Sequence, residues 1–176
     1  MLGFAGCGGD ERRDAGASGG TYAVAVERAS FPRRQHLAQR SALVVTIRNA
    51  GAKAIPNLVV TVHGFTDRLG GARNSDPTRD LWIVDRGPAG AATAFADTWA
   101  AGRLEPDRTA TLRWDLTPVV AGTHRLTFEI APALAGPAHA ELAGGGAPRR
   151  SLTVRVTGKP AAARVDPRTG GVLRRE

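Results

Sequence analysis

LEPDRTATLRWDLTPVVAGTHRLTFEIAP, residues 104 to 132, carries two runs of strict alternation separated by a reversal signal. In the first run Ala110, Leu112, Trp114 and Leu116 alternate with Thr109, Thr111, Arg113 and Asp115. Residues 118 to 122 then turn the chain. In the second run His124, Leu126, Phe128 and Ile130 alternate with Thr123, Arg125, Thr127 and Glu129. A period of two places successive side chains on opposite faces of an extended strand, so each run has one apolar and one wet face. The stretch reads as two adjacent antiparallel strands, with Trp114 as the best core anchor.

The same period recurs on both sides. TYAVAVER places Tyr22, Val24 and Val26 on one face, and SALVVTIRNAG places Leu43, Val45 and Ile47 on one face before the turn signal Asn49-Ala50-Gly51. LVVTVHGF follows with Leu58, Val60 and Val62, which reads as a strand paired to the preceding one through the linker NAGAKAIPN. SLTVRV supplies a last core strand through Leu152, Val154 and Val156. Residues 66 to 80 have loop composition, residues 81 to 84 form a short apolar run, and PAGAATAFADTWAAG suits either a strand or a helical turn. In the tail RVDPRTGGVLRRE, Asp166-Pro167 and Gly170-Gly171 suit a tight turn that lets Val165 face Val172. About seven to eight short strands with no helical periodicity between them predict an all-β, immunoglobulin-like antiparallel β-sandwich.

Composition agrees with one domain of this kind. The 176 residues are 42% apolar and only 5% aromatic, and the 22 glycines and 11 prolines favour turns over long helices. The net charge is +8, and Lys53 and Lys159 are the only lysines, so the cation is almost all arginine. The arginines occur as scattered pairs, such as Arg33-Arg34 and Arg149-Arg150, with no stripe of interleaved aromatics. That pattern argues against nucleic acid and suits anionic head groups, acidic wall polymers or a merely solvated surface. No run approaches the roughly 18 apolar residues of a membrane span.

LVVTIRNAGAKAIPNLVVTV resembles the CARDB-type domains of bacterial surface proteins, in which an apolar strand ends in Asn-x-Gly before a small-residue loop and a second apolar strand. LEPDRTATLRWDL followed by AGTHRLTFEI is similar to the later half of those domains, with Asp107 where Gly is usual. The resemblance spans residues 22 to 157. It implies an immunoglobulin-like domain of the kind found in adhesion proteins and as accessory modules of exported enzymes. Its shared positions are structural, so it carries no catalytic residue with it.

At the amino terminus Phe4-Ala5-Gly6-Cys7 resembles the lipobox of bacterial lipoproteins, and Cys7 is the sole cysteine. Small residues before the thiol suit a peptidase cleft, and the thiol would carry the lipid. Phe4 stands where Leu is most common and six residues precede Cys7, which reads as the cut end of a signal peptide. The sequence thus predicts a lipobox at 1 to 7 and a disordered tether at 8 to 20, GGDERRDAGASGG. A sandwich at 21 to 158 and an extension or small hairpin at 159 to 176 complete the expected organisation. The bland alternative is an unstructured end with an incidental thiol.

Reactive groups are sparse. His36, His63, His124 and His139 fall on separate segments without ligand spacing, and His124 reads as a satisfied rim residue. Asp76, Asp80 and Asp85 lack the D-x-D-x-D-G pattern of a calcium loop. The GGG at 144 to 146 has no lysine and no strand-to-helix setting, and no G-x-S-x-G occurs. The sequence therefore offers no catalytic residue, metal ligand set or cofactor site. Trp82, Phe95 and Trp99 are candidates for a recognition patch if residues 81 to 99 form a loop excursion, and otherwise for a plug at the open end of the sandwich. The expectation is a non-enzymatic, lipid-anchored, extracytoplasmic binding or adhesion domain whose partners are the membrane and an envelope protein or anionic wall polymer. The alternative is a soluble accessory module of an envelope assembly, with an enzyme or metal carrier as a distant third.

Overall fold

A computed structural model describes residues 19–68, 78–160, 163–165, 168 and 172–174. In chain order the strands are β1 (Gly20–Ser30), β2 (Arg34–Leu37), β3 (Ser41–Asn49), β4 (Val59–His63), β5 (Thr66–Arg68), β6 (Thr78–Asp80), β7 (Trp82–Arg86) and β8 (Ala92–Phe95). They continue as β9 (Thr98–Ala100), β10 (Thr109–Pro118), β11 (Gly122–Ala131), β12 (Ala138–Leu142), β13 (Arg149–Pro160), β14 (Ala163–Val165) and β15 (Val172–Arg174). One sheet has the order β12-β1-β3-β10-β7 and the other β2-β13-β11-β4-β9-β8. The two close on a shared core as an immunoglobulin-like sandwich. Two small hairpins, β5 with β6 and β14 with β15, stand apart from these sheets.

The faces expected from alternation are the faces observed. Leu43, Val45 and Ile47 of β3, Val60 and Val62 of β4, and Leu112, Trp114 and Leu116 of β10 are sealed from solvent, as are Leu126 and Phe128 of β11. Each such side chain contributes about 1.5–3 kcal/mol of burial. Val165 pairs with Val172 as the turn chemistry of the tail predicts.

The pairings differ from the expected ones in three ways. β10 and β11 are not a hairpin: β10 pairs with β3 and β7, while β11 pairs with β13 and β4 in the opposite sheet. The Val119 to Ala121 connection is an arch, which sets the row Leu112, Trp114, Leu116 against the row Leu126, Phe128, Ile130 across the core. Likewise β3 and β4 lie in different sheets, so NAGAKAIPN crosses between layers instead of closing a hairpin. Alternation reports which face of a strand is inward and is blind to which strand lies beside it. The third difference is that the sandwich is not purely antiparallel. β12 joins β1, and β2 joins β13, in parallel. Within the segment of uncertain reading, β8 and β9 form a hairpin rather than a helical turn, with Asp97 in its turn at φ 58°.

Asn49 secures the crossing from β3. Its side chain is fully buried, and Nδ2 donates to the carbonyls of Lys53 (2.8 Å) and Leu104 (3.0 Å) while Oδ1 accepts from the Gly51 amide (3.0 Å). Its main chain receives the Asp107 amide and donates to the Arg108 carbonyl, each at 2.9 Å. Asp107 itself sits at φ 55°, a left-handed conformation that Gly adopts freely and Asp tolerates, and its carboxylate lies 3.1 Å from the Arg48 guanidinium. Gly64, at φ 100°, packs so close to β11 that a Cβ would collide with the Arg125 carbonyl.

Replacing Asn49 by Ala removes three hydrogen bonds from the crossing, although the Leu104 carbonyl keeps the Ile55 amide as a partner, and at about 1 kcal/mol each should destabilise the fold by about 3 kcal/mol. Urea denaturation of the Asn49→Ala variant checks this, and a loss below about 1 kcal/mol would show that the carboxamide is dispensable.

Candidate functional site

The end of β1 lines a cleft between the two sheets. Ser30 closes the strand, and Phe31-Pro32-Arg33 carries the chain over to β2 in the opposite sheet. Pro32 lacks an amide hydrogen and so suits a segment that leaves the ladder. The crossing is fastened from within. Phe31 is buried against Trp82 with ring centroids 6.0 Å apart, Gln35 Nε2 donates to the Pro32 carbonyl (3.1 Å), and Trp82 Nε1 donates to Gln35 Oε1 (3.1 Å). The Arg155 amide of β13 also donates to the Arg33 carbonyl at 2.8 Å. Arg33 therefore projects from a backbone fixed to both sheets.

A cleft of about 1040 Å³ opens at this crossing. Arg28 and Ser30 of β1, Ala42 and Val44 of β3 and Arg113 of β10 line it from the first sheet. Ser151, Leu152 and Thr153 of β13 line it from the second. Register places Ser30, Val44 and Arg113 in one cross-strand row and Arg28, Thr46 and Thr111 in the next. The Thr46 and Thr111 hydroxyls, 3.1 Å apart, confirm that the second row shares one face. Arg113 lies 3.0 Å from Asp115, whereas among the described residues no carboxylate pairs with Arg28 or Arg33. Among the described residues no acidic side chain or histidine lines the cleft. A guanidinium keeps its charge throughout the physiological range and presents a planar fork of donors, so this arrangement is suited to holding oxyanions.

The three aromatic candidates do not form a patch. Trp82 is 1% exposed and Trp99 5% exposed, whereas Phe95 is 64% exposed on the edge strand β8. Trp82 is held by Gln35 and by an edge-on contact with His124 at 5.2 Å. Trp99 stands edge-on to Trp114 at 5.3 Å and to Phe65 at 6.1 Å. Indoles of this size are worth more in the core than on a loop, because residues 81 to 99 form strands and not an excursion. Cys7 lies outside the described residues.

The other candidates are dispersed. His124 Nε2 donates to the Val120 carbonyl at 3.0 Å, the rim role expected of it. His36 contacts the Thr157 hydroxyl and the Lys159 carbonyl, and His63 lies 3.7 Å from Glu129. Asp85 takes hydrogen bonds from Thr117 (2.6 Å) and Arg40 (3.2 Å), while Asp76 lies outside the described residues. Gly145 and Gly146 form the turn after β12, with the Gly145 amide donating to Leu142. Sequence reasoning missed the cleft because Arg113, Ser151 and Thr153, which complete it, are far along the chain from Arg28 and Arg33. The available signal was the break in alternation at Phe31-Pro32, beside the Arg33-Arg34 pair.

No family model matches the chain, and no curated protein matches it. Solved structures do. The CARDB domain of the PF1109 protein from Pyrococcus furiosus, solved in complex with di-metal ions, is 13% identical and aligns over 78% of this chain and 96% of its own, with a TM-score of 0.47. CARDB domains are thus among its structural neighbours. A β-glucosidase from Listeria innocua in complex with glucose is 14% identical over 79% of this chain and 16% of that one, at a TM-score of 0.45. Native alpha-2-macroglobulin from Escherichia coli, in a form running from domain MG7 to the C-terminus, is 16% identical over 85% of this chain and 21% of that one, also at 0.45.

Two expectations follow from the placement of these residues. Trp99→Ala should cost about 3–5 kcal/mol of stability, as for a core aromatic. Phe95→Ala should stay within about 0.5 kcal/mol of the parent, and chemical denaturation of both separates core from surface. Burial raises the Asp97 carboxyl above its ordinary range, with His63 opposing and Asp80 reinforcing the shift. A raised folded-state value means that the folded chain holds the proton more tightly than the unfolded one, so this group favours folding in acid and opposes it as pH rises through that value. The melting-temperature advantage of Asp97→Asn should therefore be absent in acid and grow toward neutral pH, whereas a constant offset would point to the turn geometry instead.

Proposed function

We propose that this chain is a non-enzymatic binding module of the adhesion type, held at the extracytoplasmic face of a cell envelope by lipid on Cys7. The observation that carries the reading is the order of its parts: a lipobox-like Phe4-Ala5-Gly6-Cys7, a polar glycine-rich stretch, and then a sandwich whose first strand begins at Gly20. A polar stretch of that composition is suited to lifting a folded domain clear of a membrane surface. Several acyl chains at one cysteine hold a protein far more firmly than one chain does.

The sandwich suits recognition more than catalysis. Among the described residues its inward side chains form the core and its arginines lie toward the surface, where they favour an anionic wall polymer or an acidic envelope protein as partner. The CARDB resemblance supports an accessory or adhesive role of the same kind.

Metabolic labelling with a palmitate analogue tests the anchor. Labelled, membrane-bound parent protein and an unlabelled, soluble Cys7→Ala variant are the expected outcome. Equal labelling of the two would sink the lipid anchor and leave a soluble accessory module.

A further inference from the structure

We propose that the cleft at the β1 crossover binds a linear polymer of phosphodiester-linked, hydroxylated units through Arg28 and Arg33. The inference rests on the reading of the chain as a binding module and names the ligand class for it.

Charge is the first argument. Arg28 and Arg33 carry no carboxylate partner among the described residues, and Arg113 adds a guanidinium shared with Asp115. Among the described residues, two guanidinia without a carboxylate partner in one concavity are poised to exchange small counterions for a fixed anion. Size is the second. Arg28 and Arg113 are separated by two strand spacings and one two-residue step, about 12 Å between backbones. Arginine side chains are long enough to meet across that span, so spacing alone admits one oxyanion as well as successive charges of an extended chain. The cleft volume, about 1040 Å³, is far more than a single phosphate fills and favours the chain.

The lining separates this ligand from its competitors. Ser30, Ser151 and Thr153 offer hydroxyls that can bond to both phosphate oxygens and the hydroxyls of a spacer. Phe31 is the only aromatic lining residue and is buried, so unpaired bases would find no stacking platform. A flat bilayer cannot enter a concave site, which disfavours lipid head groups. A phosphodiester keeps one charge per unit across the physiological range and offers two oxygens to each guanidinium fork. The internal bonds of Gln35 to Pro32 and Trp82 fix the crossing beforehand, so little ordering is needed on binding.

Titration calorimetry of the full chain with poly(glycerol phosphate), at several salt concentrations, tests the site. The double variant Arg28→Gln, Arg33→Gln should bind at least about tenfold more weakly and lose about two units of the log–log salt slope. The double variant Arg34→Gln, Arg155→Gln removes the same charge from the outer face of the second sheet and should stay within about twofold of the parent. All four side chains are exposed, so both variants should keep the parental melting temperature. Equal losses in the two variants would overturn the site in favour of general charge attraction. Absence of binding would overturn it as well, as would equal or tighter binding of polyglutamate, oligothymidylate or phosphatidylglycerol vesicles. None of these outcomes touches the labelling of Cys7, so failure of the site and failure of the anchor remain distinguishable.

Discussion

The carboxamide of Asn49 joins three pieces of chain that neither sheet could hold alone. It binds the Lys53 and Leu104 carbonyls and the Gly51 amide from a fully buried position. Buried main-chain groups must be paired, and a segment that leaves one sheet for the other abandons its ladder partners. Asn49 replaces those partners with one side chain that both donates and accepts. Beside it the Ile55 and Leu104 bridge and the entry into β10 are held by main-chain bonds, the latter through the Asn49 amide and carbonyl.

Crossing between layers is the general problem of this fold, and three of its crossings are fastened by different devices. Between β10 and β11 an arch is pinned by the Val119 amide on Leu81 and by His124 on Val120. Between β1 and β2 the fastening is Gln35, which satisfies both Pro32 and the Trp82 indole. The aromatic residues divide accordingly, with Phe31, Trp82 and His124 packed at one crossing and Phe65, Trp99 and Trp114 in a second cluster. Such pairs add about 0.5–1.5 kcal/mol each beyond their buried area.

The β1 crossing also explains how a protein with dispersed arginines acquires a local concentration of charge. Arg48 is balanced by Glu27 and Asp107, Arg103 by Glu105, and Arg40 by Asp85. Among the described residues no carboxylate pairs with Arg28 or Arg33, and these two meet at the cleft. An exposed pair contributes little to stability, so the balanced arginines concern solubility more than folding. Arg28 and Arg33, together at the cleft, are the ones we propose for ligand binding.

Which residues face inward was determined by the sequence alone, because period-two alternation is a local property of an extended chain and survives any choice of partner strand. The Asn49-Ala50-Gly51 turn, the Val165 and Val172 pair and the rim position of His124 were legible for the same local reason. Partnership was not. An arch and a hairpin carry the same alternation, so the placement of β10 and β11 in opposite sheets was decided by which apolar faces could be buried together. The burial of Trp82 and Trp99, the exposure of Phe95, and the meeting of Arg28, Arg33 and Arg113 at one cleft follow from that packing. They depend on residues distant in the chain, and only the closed sandwich brings those residues within reach of one another.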